Sequence, residues 1–331
     1  MKIVLSIAKN LKTVPMNRYA HQALVEMGHE VVTFDFSSHG LYLRLLKKIS
    51  TKRFLARLNQ ELVKLIKQEK PDLFLTIFGF NHSVEVVERV KSLGVPTACW
   101  WLNDPFQFER SAAKAGCYDH YFTNSRGSLA LYAEKGINNV SFLPVGIYPP
   151  LHKRSPGLTK KWDICFAGDY KPVREEVLNA VASRFNLAIF GPWGNRIAKD
   201  SPLQKHIVSD KFFSPEEMVT MFNQSKIVLN IHTWLGKNEF GINPRVFEAS
   251  GCGSLQITDF KEEITDFYQE DQEIVIYRST DELLEKLAYY LEHEGEREVI
   301  AARAYDRTLR ENTYQQRMEE LLRVCGGARS L

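Results

Sequence analysis

An arginine and a glutamate, Arg245 and Glu248, lie three residues apart in the stretch NEFGINPRVFEASGCG at 238–253. Residues at this spacing share one face of a helix, so the guanidinium and the carboxylate would point the same way. Asn243 suits the N-cap of that helix and Pro244 its first position. A helix start offers free N–H groups to a phosphate, and Arg245 would add a permanent charge there. Glu248 could accept hydrogen bonds from two neighbouring hydroxyls, as on a ribose, whereas the alternative is an ion pair on the surface.

The elements around this predicted helix indicate an α/β unit. KIVLNIH at 226–232 and SLQIT at 254–258 are predicted strands, and Gly251 and Gly253 end the helix between them. Elsewhere strand and helix patterns alternate without hairpin signals, which favours parallel sheets with helices on both faces. Ligands of such sheets bind beyond the carboxyl ends of the strands.

Length and composition bound the remaining possibilities. The 331 residues favour two domains at about 150 residues each, and the proline-rich segment PVGIYPPLHKRSPG at 144–157 predicts the linker between them. A net charge of +3 is too small to indicate a nucleic-acid partner. The five cysteines include no C-x-x-C pair, and no apolar run approaches the length of a membrane span. We therefore expect a soluble cytoplasmic protein.

The basic stretch 44–70 leaves contact with a membrane open. It contains nine Lys or Arg and two Glu. Such a stretch is either a solvated helix face or a contact surface for an anionic membrane or polymer.

Several common motifs of nucleotide and metal chemistry are missing. KNLKTV follows the first strand, with no G-x-G-x-x-G, and Gly236-Lys237 lacks the earlier glycine of a P-loop. No Asp-x-Asp pair and no His/Cys cluster has the spacing of metal ligands, so we expect no bound metal and no cofactor.

Several segments nevertheless resemble a known family. ICFAGDYKPVREEVL, LAIFGPWGN, SPEEMVTMFNQSKIVLNIHTW, NPRVFEASGCGSLQIT and ELLEKLAYYLEHEGEREVIAARAYDRTLRENTYQQRMEELL together resemble the glycosyltransferase domain of the CgeB (spore maturation protein) family. ACWWLNDPFQF and YDHYFTNSRGSLALYAEKGINNVSFLPVG are similar to that family's N-terminal half. This is a group of GT-B fold near glycosyltransferase family 4.

The resemblance implies an α/β GT-B architecture of two doubly wound, Rossmann-like domains that face each other across a cleft. We expect an acceptor-binding domain at 1–150 and a nucleotide-sugar-binding domain at 158–304. The segment 305–331 is expected to return as a helix onto the first domain.

The resemblance also implies a hexosyltransferase-type enzyme. It would move a sugar from a nucleoside-diphosphate sugar to an acceptor glycan, protein, lipid or small molecule, without a metal and with retention of configuration. Two alternatives stay open: a nucleotide-sugar epimerase on the same fold, and a non-catalytic nucleotide-sugar-binding protein.

Site residues carry over from the family by position. Glu248 matches the glutamate that holds the donor ribose, and Arg245 matches an arginine near the diphosphate. Gly168 and Arg174 match the glycine loop and the arginine after the first strand of the domain. The predicted donor site is completed by Lys171, Gly191, Phe213 and Asn243.

Family-4 enzymes often have two glutamates with seven residues between them, and this sequence departs from that pattern at the first glutamate. Here eight residues separate Glu239 from Glu248, and Phe240 occupies the next position. The spacing therefore does not assign Glu239 a role beside the donor sugar.

Charge considerations predict the catalytic groups. Negative charge grows on the departing phosphate, where Arg245, Arg174 and Lys171 would stabilise it. Asp104, after CWWLN, is the candidate base for the acceptor, or else a cap or turn residue before Pro105. His232 ends its strand and could approach the donor.

Three further residues invite a structural interpretation. His21 lies within a predicted helix and is more typical of a structural residue. Trp100 and Trp101 would line an acceptor sugar site or pack in the core.

Overall fold

The structure, a computed structural model, describes residues 1–8, 11, 14–37 and 40–326. The chain divides into two compact units, one of Met1–Pro144 with Tyr314–Leu331 and one of Val145–Thr313. Each unit contains a six-stranded sheet in which all paired strands run parallel. The predicted α/β class with two doubly wound sheets is confirmed.

The sheet of the first unit has the strand order β2-β1-β3-β4-β5-β6. Its strands are β1 (Lys2–Ile7), β2 (Glu30–Asp35), β3 (Leu73–Ile77), β4 (Thr97–Trp101), β5 (His120–Thr123) and β6 (Val140–Phe142). The helices up to this point are α1 (Pro15–Glu26), α2 (Gly40–Ile49), α3 (Thr51–Glu69), α4 (Val84–Lys91), α5 (Phe108–Ala115) and α6 (Ser128–Glu134). All residues of β3 and β4 are buried, as expected of a parallel sheet with helices on both faces.

The sheet of the second unit has the order β12-β11-β10-β7-β8-β9. Its strands are β7 (Trp162–Ala167), β8 (Leu187–Phe190), β9 (Ile207–Ser209), β10 (Ser225–Asn230), β11 (Leu255–Asp259) and β12 (Val275–Tyr277). Its helices are α7 (Pro172–Ala182), α8 (Pro215–Asn223), α9 (Arg245–Gly251), α10 (Thr280–Glu292) and α11 (Glu294–Glu311). Ser214 and Glu217 form the capping box that the Ser-Pro-Glu-Glu sequence predicts at the start of α8.

The chain passes between the units at positions that differ from the expected boundaries. Val145 already belongs to the second unit, so most of the proline-rich segment is part of it, and Ile147 forms a bridge with Thr313. The expected boundary at 304–305 falls inside α11. The chain leaves the second unit only at Thr313, after which α12 (Tyr314–Gly326) completes the first unit.

Aromatic packing fixes α12 within the first unit. The ring of Tyr314 lies 5.3 Å from that of Tyr19 in α1 and 5.8 Å from that of Trp100 in β4, both in edge contacts. Trp100 and Trp101 are fully buried, so of the two alternatives for these residues the core position is the correct one.

Candidate active site

The point at which the strand order reverses lies between β7 and β10. The chain first builds β8 and β9 on one side of β7 and then crosses to place β10 on the other side. Ligands of open α/β sheets bind at the carboxyl ends of the two strands that flank such a point. Here those ends are the loop from Gly168 to Lys171, which leads into α7, and the residues Ile231 and His232 after β10.

Arg174 joins these two loops. Its Nε donates to the carbonyl oxygen of Ile231 at 3.0 Å, and its Nη1 donates to the carbonyl oxygen of Asp169 at 3.0 Å and to Asp169 Oδ1 at 2.5 Å. The side chain is almost entirely buried, and burial lowers the pKa of its guanidinium while Asp169 opposes that effect. The result is a fixed cation at the reversal point, and its contact with phosphate stays a prediction.

The glycine loop is held against the end of β8. Gly168 donates its N–H to Phe190 O at 3.0 Å and accepts from Trp193 Nε1 at 2.8 Å. Gly191 has a φ of +138°, and a Cβ on it would overlap the carbonyl oxygen of Gly168. Only glycine permits this approach of two main chains, so the structure brings the predicted Gly168 and Gly191 together.

Asp169, which the sequence analysis missed, neutralises part of the predicted cationic site. Its Oδ2 lies 3.2 Å from the Nζ of Lys171, while its Oδ1 pairs with Arg174. Lys171 itself is the N-cap residue of α7, which begins at Pro172. The sequence signal that could have identified Asp169 is its position directly after a strand and a glycine. The two cations that we expected beside phosphate are therefore already engaged with an acid of the same loop.

His232 occupies a different role from the expected approach to the donor. Its N and Nδ1 both donate to Asp259 Oδ1 at 2.8 Å, and its Nε2 accepts the N–H of Asn243 at 3.2 Å. The imidazole is fully buried, and its proton sits on Nδ1 because the carboxylate can only accept. Both ring nitrogens are thus used within the protein, and His232 positions the main chain of Asn243.

The partner of His232 is a buried carboxylate. Burial raises the pKa of Asp259, but the hydrogen bonds from His232 and the charge of the nearby Lys261 outweigh it, so the net shift is downward. Lys261 Nζ lies 3.3 Å from Asp259 Oδ2, and both side chains are almost completely enclosed. An ionised Asp259 therefore fixes the end of β10 against the end of β11.

The expected capping role of Asn243 is wrong. Helix α9 begins at Arg245 with Pro244 as its N-cap residue and has no side-chain cap. Instead the amide of Asn243 exchanges two hydrogen bonds with that of Asn230 at the end of β10, at 2.9 and 3.2 Å. The side chain of Asn243 is thus satisfied by a residue thirteen positions earlier in the chain and not by the start of the helix.

Arg245 and Glu248 form the predicted pair, and it is not a surface ion pair. Arg245 Nη1 lies 2.5 Å from Glu248 Oε2, and the two side chains are only 20% and 13% exposed. The guanidinium lies over the rings of Phe213 and Phe222, 5.7 and 5.4 Å from their centroids, and contacts Met218 Sδ. Phe213, a predicted donor-site residue, is thus one wall around Arg245.

His152 is a neighbour of Glu248 that the sequence analysis missed. Its Nε2 lies 4.0 Å from Glu248 Oε1, and its ring is fully buried. The residue belongs to the proline-rich segment, which carries no motif to identify it. Glu248 therefore lies between a permanent cation and an imidazole.

Asp104 lies in the first unit, enclosed by hydroxyl groups. Its Oδ2 accepts from Thr123 Oγ1 and Tyr132 Oη at 2.7 Å each, and its N–H donates to Asn124 Oδ1 at 3.1 Å. The residue is 1% exposed, and burial raises the pKa of its carboxyl. The turn interpretation is correct, since Asp104 begins the turn 104–107 that precedes α5. The role as a base needs correction, because the carboxyl does not face solvent.

Two further properties concern only the part of the chain that the structure describes. No group of three or more His, Cys, Asp or Glu side chains there is placed to hold a metal ion. None of the helices in the described ranges combines the length and hydropathy needed to cross a bilayer.

Comparisons with known proteins agree with this architecture. The family model described as glycosyl transferase-like matches residues 174–323. Spore protein CgeB of Bacillus subtilis (strain 168) is 26% identical over 266 residues, which cover 76% of this chain and 82% of that protein.

Solved structures match over nearly the whole chain. Sucrose-phosphate synthase from Thermosynechococcus elongatus superposes with a TM-score of 0.72 at 11% identity, over 99% of this chain and 100% of that one. Anabaena HepE in complex with UDP and glucose gives a TM-score of 0.68 at 12% identity, over 98% and 99% of the two chains. At these identities the superpositions establish the fold, while the sequence matches establish the kind of enzyme. The chain is a glycosyltransferase with a GT-B fold, and its sequence is similar to that of spore protein CgeB.

Proposed function

We propose that the chain transfers a sugar from a nucleoside-diphosphate sugar, bound at the carboxyl ends of β7, β10 and β11, to a hydroxyl of a separate acceptor. The observation that carries this proposal is the fixed cation at the reversal point, where Arg174 is bonded to Asp169 and to Ile231 O. The relative HepE has been crystallised with UDP and glucose, which supports a donor of the same chemical class.

The residues of the second unit divide between the two ends of such a donor. A diphosphate would compete with Asp169 for Arg174 and Lys171, next to the start of α7. Ribose hydroxyls would compete with Arg245 for Glu248. In both places the group that the donor would engage is already paired with an opposite charge of the protein, so the site carries no isolated buried charge before the donor arrives.

The same cations account for catalysis without a metal. When the bond from the anomeric carbon to the diphosphate breaks, an electron pair and negative charge pass to the phosphate oxygen. Arg174, Lys171 and Arg245 would stabilise that charge more strongly than the charge of the intact donor. Retention of the anomeric configuration is part of the proposal because the resemblance to the CgeB family implies it.

The test is to incubate the full-length protein with a panel of nucleotide sugars and to measure both free nucleoside diphosphate and the sugar released. We expect slow release of the diphosphate from one donor, unchanged by EDTA, and a sugar of retained configuration by NMR. A new epimer that remains attached to the nucleotide would favour the epimerase, and binding without turnover would favour a binding protein. Loss of all activity on chelation would refute the metal-independent mechanism.

A further inference from the structure

Helix α2 carries an apolar face that the first unit does not cover. Leu43 is buried and Leu46 half-buried against Phe54 and Leu58 of α3, and these contacts anchor the helix. The opposite side exposes four large apolar residues, which are Leu41 at 73%, Tyr42 at 66%, Leu45 at 50% and Ile49 at 75%. Leu41, Leu45 and Ile49 are spaced by four residues, so they form one continuous stripe along the helix.

The charges beside this stripe have a single sign. From Gly40 to Gln60 the chain contains six basic residues and no acidic one. These basic residues are Arg44, Lys47, Lys48, Lys52, Arg53 and Arg57. Within the described residues only Arg57 among them has an ion-pair partner, Glu61 at 3.0 Å. Apart from Arg57, the cations beside the stripe are therefore not neutralised by any acid of the described chain.

The combination identifies the kind of partner. An apolar stripe flanked by Lys and Arg is the pattern of a helix that lies in the interface of a bilayer, with its apolar side chains among the acyl chains. Anionic headgroups would meet the basic side chains, and Tyr42 has the amphipathic ring that favours the headgroup level. A symmetric contact between two copies would instead bring the same basic patch against itself, which repels.

We propose that this face of α2 docks on an anionic phospholipid surface, with Leu41, Leu45 and Ile49 entering the interface and the basic residues of α2 and the start of α3 meeting the headgroups. Docking would hold the first unit at the membrane without a membrane-spanning segment. The proposal does not depend on the identity of the sugar donor, because none of its residues belongs to the donor site.

The experiment is cosedimentation of the full-length protein with vesicles of phosphatidylglycerol and phosphatidylcholine in equal parts, and with vesicles of phosphatidylcholine alone. We expect binding to the anionic vesicles only. Salt at about 1 M, where the Debye length is about 3 Å, should release most of the protein. Equal binding to both vesicles, or no binding to either, would overturn the proposal.

Two variants of α2 test the apolar stripe and the basic residues separately. Leu45→Ser with Ile49→Ser should weaken binding by about tenfold or more through lost apolar burial. Lys47→Glu with Lys48→Glu should weaken it by more than about 25-fold, since each basic residue near an anionic surface contributes about fivefold. The matched control is Val208→Ser with Val299→Ser, at positions of the second unit that are 50% and 49% exposed, and it should bind like the wild type.

Two outcomes would contradict the proposal even if the protein binds vesicles. One is wild-type binding by both α2 variants with unchanged melting temperature. The other is a doubled mass in sedimentation velocity without vesicles that Leu45→Ser with Ile49→Ser abolishes, since that result would assign the face to a second copy.

Discussion

Arg174 donates its Nε–H to the main-chain oxygen of Ile231 at 3.0 Å, so a side chain of α7 spans the two strands at which the sheet of the second unit reverses its order. Its second nitrogen holds Asp169 on the other strand's loop. The geometry of the donor site thus depends on one planar group that donates in two directions, which a lysine at this position could not reproduce.

Replacing Arg174 by lysine should therefore impair the enzyme although the charge is kept. Loss of the bond to Ile231 leaves a buried carbonyl unsatisfied, which costs about 1–3 kcal/mol of unfolding free energy. Turnover should fall because the cation is no longer fixed. Denaturant unfolding and diphosphate release measure the two effects. The control is Arg278→Lys, at an exposed two-bond pair with Glu270, and a loss of the same size there would remove any special role for Arg174.

Asp169→Asn should strengthen binding of a nucleoside diphosphate. The carboxylate is nearly half exposed and pairs with Arg174 and Lys171, so removing its charge frees both cations for phosphate. An exposed pair is worth about 0–1 kcal/mol, which corresponds to an affinity increase of at most about fivefold. Calorimetric titration with UDP measures it, with Asp163→Asn, the partner of Lys226, as control. Weaker binding in the variant would mean that Asp169 orients Arg174 rather than competing for it.

Glu248→Ala should lower donor affinity by about tenfold or more, since hydrogen bonds to a charged group are worth about 1.5–3 kcal/mol each. Glu320→Ala, which breaks another i,i+3 pair with Arg323, is the matched control and should leave donor affinity unchanged. Near-wild-type turnover in a correctly folded Glu248→Ala protein would contradict the ribose assignment.

Arg245→Ala should lower turnover more than donor affinity. If its guanidinium meets charge that develops on the leaving phosphate, turnover falls more than ground-state affinity for the intact donor. Separate measurement of donor affinity by titration and of turnover under saturation distinguishes the two. Equal losses in donor affinity and in turnover would show that Arg245 contributes only to binding of the intact donor.

His82 makes the stability of the first unit sensitive to acid. Asn59 Oδ1 lies 3.3 Å from its Nδ1 and Ser6 Oγ lies 2.9 Å from its Nε2, so the ring is enclosed in its neutral form. Burial, and then the charge of Lys114, lower the pKa of His82 to about 3. The unfolded chain takes up this proton below pH 6.5 and the folded chain does not, so the unfolding free energy falls as the pH decreases from 6.5 towards 3.

The size of this effect can be measured against His82→Gln. Each pH unit below 6.5 should cost the wild type about 1.4 kcal/mol that the variant does not lose. Between pH 7 and pH about 4.5 the wild type should therefore lose about 3 kcal/mol more than the variant. Denaturant unfolding at the two pH values gives the comparison. If the unfolding free energies of wild type and variant differ by the same amount at both pH values, His82 accepts the proton in the folded protein as well.

The sequence predicted what local patterns determine. The apolar runs KIVLNIH and SLQIT correctly predicted β10 and β11. The Ser-Pro-Glu-Glu sequence indicates the start of α8 because the donors and acceptors of its capping box lie within four residues. Asn243 and His232 were misassigned because their partners, Asn230 and Asp259, lie thirteen and twenty-seven positions away and meet them only in the folded sheet. The pairing of Arg245 with Glu248 was predicted from spacing, but its burial depends on Phe213 and Phe222, which spacing does not reveal.

The burial of Asp104 illustrates the same limit in the first unit. Its position after a strand and before a proline suggested a turn or an accessible base. The hydroxyls that enclose it come from Thr123 in β5 and Tyr132 in α6, nineteen and twenty-eight positions later. A residue's distance from the surface depends on such neighbours, and no single segment of sequence contains them.

The bridge between Ile147 and Thr313 has a consequence for how such chains diversify. The N–H of Ile147 donates to Asn312 O at 2.9 Å, so the two ends of the second unit are neighbours. A segment with adjacent ends can be exchanged as one insert, since its two junctions then lie beside each other in the recipient. The unit that carries the proposed donor site is thus continuous in sequence and could be exchanged as one insert while the recipient keeps the unit that carries α2.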